Sequence, residues 1–202
     1  MGFLSNFIEN KALRVYSRQA AGLFSTLSND EAAMSLVHAV DMAVKMAESD
    51  DADYRAMARI ILDPQSGSSN DCLYIYDIIL TVYASAEKST KQTIKRLGNR
   101  GDFFKAKINS MLMGYRIILF LMAERADKVD RDDVRTFYTK TTLCATDEIL
   151  TRALNDFREQ LIFESKSGLF QENPPTIPDD SELDFYKTSI ELWSMTGRFR
   201  FL

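Results

Sequence analysis

The stretch Asp102–Ala126, DFFKAKINSMLMGYRIILFLMAERA, decides how this chain is read. Phe104, Ile108, Met111, Tyr115, Ile118 and Met122 recur at helical spacing, and Phe103, Ile117 and Leu121 fall off that stripe. A helix apolar nearly all round belongs inside a bundle, because no side of it gains from facing water. Its most apolar window, Met111–Ala123, is interrupted by Arg116 and is shorter than the about 20 residues a membrane span needs. The segment predicts a buried central helix in a soluble, all-α protein.

Working outward, glycine and proline punctuate the chain at Pro64/Gly67, at Gly98/Gly101 and from Gly168 to Pro178. Between these points the apolar residues keep helical spacing, and no long stretch alternates as a half-buried strand does. A first helix runs from about Leu4 to Leu27, with Leu4, Ile8, Ala12, Val15, Gln19 and Leu23 as its inward stripe. Ser28 or Asn29 caps a second, which turns Ala33, Val37, Val40, Val44 and Ala47 inward. A short helix covers Asp53–Leu62, and Asp63-Pro64 ends it.

The segment Cys72–Ala86 is rich in Ile, Tyr and Val, which suit strands, but it exceeds a strand's usual length. Cys72, Ile75, Ile79, Val82 and Ala86 keep helical spacing, so a helix capped by Asn70 or Asp71 is expected. Asp130, with Asp133 three residues on, opens one long helix to about Lys166, with Tyr138, Ala145, Ile149, Ala153, Phe157 and Leu161 inward.

These elements predict a multi-helix bundle of six to eight helices over 1–167. A Pro-bearing linker over 168–180 follows, then a C-terminal helical arm over 181–202 capped by Ser181. With 202 residues, the chain is long enough to bury a core without disulfide staples. Its 46% hydrophobic and 27% charged content excludes general disorder.

Several chemistries are excluded by count. A single histidine, His38, rules out di-iron sites built on paired Glu-x-x-His motifs. It is read as a surface residue paired with Asp41. Cys72 and Cys144 are too few for a disulfide framework and read as small buried thiols in a reducing compartment. Neither a glycine-flanked hydrolase serine nor a phosphate-cradling Gly-rich loop occurs. The acidic runs Glu48–Asp53, Asp127–Asp133 and Asp179–Asp184 lie at helix starts, where carboxylates cap backbone N–H groups. No catalytic residue, cofactor or metal site is expected.

Charge is unevenly placed. Lys88, Lys91, Lys95, Arg96, Arg100, Lys105 and Lys107 face one acid, Asp102, a local charge of +6 that leaves the rest of this −4 chain at −10. The Gly98–Gly101 turn inside that patch is superficially like a helix-turn-helix, and a nucleic-acid or polyanion contact is one possible use of it. The N-terminal helix offers peripheral membrane contact through Phe3, Leu4, Phe7 and Ile8 beside Lys11, Arg14 and Arg18.

Arg116 is a lone charge in an apolar helix. Burying a guanidinium alone is costly, so it needs a carboxylate partner or a cavity. A ligand pocket, if present, would gather Arg116 and Tyr115 with Tyr74, Tyr76 and Tyr83. The arm must bury Leu183, Tyr186, Ile190 and Trp193 on its own body, on a second copy or in a partner's groove.

The leading functional reading is therefore a cytoplasmic, non-catalytic interaction or adaptor protein that self-associates through the arm as a homo-oligomer. The alternatives are a polyanion-binding regulator using 88–107 and a helical ligand-binding protein or enzyme with its pocket near Arg116.

Overall fold

The computed structural model describes residues 2–63, 66–97, 101–167 and 174–199, the side chains of 2–12, 69, 93, 96–97, 101–104 and 197–199 excepted. Within these residues the chain is all-helical. The helices are α1 (Gly2–Thr26), α2 (Asn29–Ala47), α3 (Ala52–Leu62), α4 (Ser69–Leu97), α5 (Gly101–Arg125), α6 (Arg131–Cys144), α7 (Asp147–Ser167) and α8 (Asp180–Phe199). The strand-like residues 72–86 are helix, part of α4. The predicted turn at 98–100, the Gly168 stop and the tail Arg200-Phe201-Leu202 lie outside the described residues.

The bundle has two buried axes. The C-terminal half of α5 is one: every residue from Ile117 to Glu124 is buried. The other is α2, where the whole run Ser35–Asp41 is buried, because five other helices, α3, α5, α6, α7 and α8, pack around it. By length and mean hydropathy, 1.3 over its most apolar window, Lys105–Arg125 is a candidate to cross a membrane. Burial against α1, α2 and α4 accounts for the same composition in a bundle core.

Alanines let α2 serve as an axis. Ala32, Ala33, Ala39 and Ala43 are all solvent-free, and small side chains allow neighbouring backbones to come close. At Gly114 of α5 an added Cβ would meet the Ala39 amide nitrogen at 3.1 Å and the His38 carbonyl carbon at 3.2 Å. Next to this crossing, Phe24, Phe120, Phe137 and Tyr138 tie α1, α5 and α6 together, with centroids of 4.3 Å for Phe120–Phe137 and 5.0 Å for Phe24–Phe137.

Several expectations are corrected. The buried face of α1 is Leu13, Ser17, Ala20, Ala21 and Phe24, while Val15 and Leu23 are exposed. Small residues win the interface there because they admit a closer helix. Ala47 is exposed on the last turn of α2. The long helix 130–166 breaks at Ala145-Thr146 into α6 and α7. Thr139, Thr141 and Thr142 weaken helix there, and the break lets α6 lie on α1 and α8 while α7 lies on α2.

The caps are also reassigned in part. Ser28 forms a full capping box with Glu31. Ser68, rather than Asn70 or Asp71, caps α4, with its Oγ accepting from the Asp71 N–H at 3.3 Å while Asp71 accepts from the Ser68 N–H at 3.0 Å. Asp130 caps α6 by accepting from the Asp132 N–H, and Asp133 does not reciprocate as a capping box requires. Asp179, rather than Ser181, caps α8 by accepting from the Glu182 N–H at 2.9 Å, and Glu182 accepts from the Asp179 N–H at 2.7 Å.

The arm lies on its own body. Leu183, Tyr186, Ile190 and Trp193 are all buried, and α8 packs against α6, α2 and α7. The Tyr186 hydroxyl donates to Asp41 Oδ1 at 3.1 Å, the Thr142 and Ser194 hydroxyls meet at 3.2 Å, and Lys187 pairs with Asp147.

Candidate functional site

The largest of the described clefts, about 720 Å³, lies between α1, α4 and α5. Ala20 of α1 and Ala84 of α4 are small residues in its lining. Leu80 and Leu119 add apolar wall, and Gln19, Thr81 and Ser85 supply uncharged hydrogen-bonding groups. Tyr16, 45% exposed, stands at the α1 side, and Lys88 at the α4 side.

Arg116 enters this cleft from α5 and is half-buried. The expected carboxylate partner is not there: no ion pair joins Arg116 to a described acid. Its Nε instead donates to the Tyr83 hydroxyl at 2.9 Å. The guanidinium carbon stands 5.4 Å from the Tyr83 ring centroid, within cation–π range. Tyr83 is 5% exposed, so its ring is a fixed platform. The two terminal guanidinium nitrogens make no hydrogen bond to a described residue. Glu87, the one acid lining the cleft, pairs with Lys91 at 3.0 Å.

The predicted pocket residues do not form one site. Tyr115 faces a second hollow of about 320 Å³, lined by Met42, Met46, Tyr54 and Ile78 among others. Consecutive residues on a helix diverge by about 100°, which sends Arg116 and Tyr115 to different hollows. Tyr83 lines the first hollow, and its ring centroid is 6.4 Å from that of Tyr115. Burial, then the nearby Tyr54, pushes the Tyr115 phenol above its ordinary range. Tyr74 is 61% exposed and Tyr76 is buried; neither lines either hollow. Gln19, expected on the inward stripe of α1, is instead exposed and lines the cleft with Tyr16, for which spacing gave no signal.

The basic patch is partly neutralised. Lys107 forms an ion pair with the buried Glu164 of α7, and Lys91 with Glu87. Lys88, Lys95 and Lys105 are exposed. The Arg96 side chain and all of Arg100 lie outside the described residues. So do the side chains of Phe3, Leu4, Phe7, Ile8 and Lys11; Arg14 and Arg18 face Asp130, Asp132 and Asp133 across a third, charge-balanced cleft.

His38 is not a surface residue. It is 3% exposed, its ring meets Phe157 edge-on at 5.1 Å, and Nε2 has no hydrogen-bond partner. Asp41 instead binds Lys45, at 2.6 Å, and Tyr186. Cys72 and Cys144 are free and buried, and burial raises both thiols, Cys144 to about 12. Among the described residues no group of three His, Cys, Asp or Glu side chains is placed to hold a metal ion.

No family model, no curated protein and no solved structure matches this chain.

Proposed function

We propose that the chain is a non-catalytic binding protein whose α1–α4–α5 cleft holds a small organic anion on Arg116. One observation carries this reading. A half-buried guanidinium that lines a cleft of about 720 Å³ is held by Tyr83 through Nε, and its terminal nitrogens have no described protein partner. Guanidinium forks bind planar anions through paired charge-assisted hydrogen bonds. Lys88 adds positive charge at the same cleft.

Calorimetric titration with a panel of small carboxylates and phosphates tests it, comparing the natural chain with Arg116→Met. Binding by the natural chain and at least about tenfold weaker binding by Arg116→Met is expected, since one charge-assisted pair is worth about 1.5–3 kcal/mol. Equal binding by both chains, or none by either, overturns the reading.

A second reading keeps the protein as an interaction or adaptor component. The inner stripe of α8 is covered by its own body, so self-association through it requires arm exchange. The outer face of α8 still carries the exposed Phe185, Leu192 and Met195. Light scattering across a concentration series tests this, and a constant mass of one chain tells against self-association. Both readings fit a reducing, cytoplasmic setting, which the two free, buried thiols support.

A further inference from the structure

Resting on the Arg116 reading, we infer that the ligand is a monocarboxylate carrying an apolar, ring-sized body, its carboxylate on the terminal nitrogens of Arg116 and its body in the Ala20–Ala84 hollow. Three features of the cleft lead to this class.

The first is the free edge of Arg116. With Nε engaged by the Tyr83 hydroxyl and the guanidinium carbon held 5.4 Å from the Tyr83 ring centroid, the end bearing the two terminal nitrogens is the edge left to a ligand. Two parallel N–H donors match the two oxygens of a planar carboxylate.

The second is charge. Arg116 and Lys88 are the cations lining the cleft and Glu87 is its one acid, a net +1. That balances one negative charge. A dianionic phosphate ester would exceed the net charge of the lining, with Glu87, although paired with Lys91, on the same wall.

The third is shape. A cleft of about 720 Å³ is far larger than a carboxylate group alone, and Ala20, Leu80, Ala84 and Leu119 give it apolar lining alongside the polar Gln19, Thr81 and Ser85. Apolar atoms of a ligand gain there by leaving water, at about 25 cal/mol per Å² buried. An anion without such a body leaves that surface wet.

Calorimetry with acetate, benzoate and phenyl phosphate at pH 7.5, on the natural chain, Arg116→Met and Ala84→Leu, tests the assignment. Benzoate is expected to bind about tenfold or more tighter than acetate, and tighter than phenyl phosphate. Arg116→Met should weaken benzoate and acetate alike. Ala84→Leu should weaken benzoate at least about fivefold and acetate by less; Ala84 is exposed, so the bundle tolerates the larger side chain, as circular dichroism would verify.

Acetate and benzoate binding equally, with both lost in Arg116→Met, would overturn the ring-sized body and leave the anion site standing. Phenyl phosphate binding tightest would overturn the single-charge match. Benzoate binding unaffected by Ala84→Leu would overturn the placement of the ring. No binding by any of the three removes both this inference and the reading it rests on.

Discussion

His38 shows how one residue reports the packing around it. Burial, then Lys107 and Lys45, push its imidazole down to about 3. The ring is therefore neutral in the folded chain at any ordinary pH, and in the unfolded chain it protonates near its usual 6.5. Because the folded value is the lower one, the stability linked to this residue is whole above about pH 6.5 and declines as the pH falls towards 3. Each unit in that window costs about 1.4 kcal/mol for one proton. Urea denaturation of the natural chain and of His38→Leu at pH 7.5, 6.0 and 5.0 should show the natural chain losing ground to the variant as acid is added. A gap between the two that stays constant over that range contradicts the burial of a neutral imidazole.

Between elements, α2 and α5 come close at Gly114. A methyl group there meets the Ala39 nitrogen and the His38 carbonyl carbon, which are backbone atoms and cannot swing aside, as well as the end of the Met42 side chain, which can. Overpacking there costs about 1–3 kcal/mol. Alanine ordinarily gains about 1 kcal/mol over glycine inside a helix, so Gly114→Ala should destabilise the protein by up to about 2 kcal/mol net. A raised midpoint of thermal unfolding in Gly114→Ala would show that the two helices separate freely. The caps belong to this scale too. The sequence left Ser28 and Asn29 both open as the cap of α2, and the reciprocal bonds with Glu31 decide for Ser28. The choice of Asp179 over Ser181 turns on the reciprocal bond with Glu182, whose register depends on where α8 begins.

Across the whole molecule, α8 is part of the core. Trp193 and Ile190 are almost wholly buried, and Tyr186 reaches Asp41 on the α2 axis. Ending the chain after Ser167 would uncover the faces of α2, α6 and α7 that α8 occupies. The shortened chain is expected to lose cooperative thermal unfolding and to bind an apolar dye in native buffer. A shortened chain that melts as sharply as the full one would make α8 an appendage and return weight to association through the arm. By itself, the sequence determined the all-helical class, the apolar C-terminal half of α5 and the inward stripe of α8, because each depends on spacing within one element, where 3.6 residues per turn fixes which side chains share a face. It also marked Arg116 as a charge in need of company. Only the tertiary structure decided that α2 is the second axis, that α1 turns Ser17 and Ala20 inward in place of Val15 and Leu23, and that Tyr83 answers Arg116 across an open cleft. Those outcomes depend on how closely separate helices approach, which small side chains permit without announcing, and on which residues distant in sequence meet when they do.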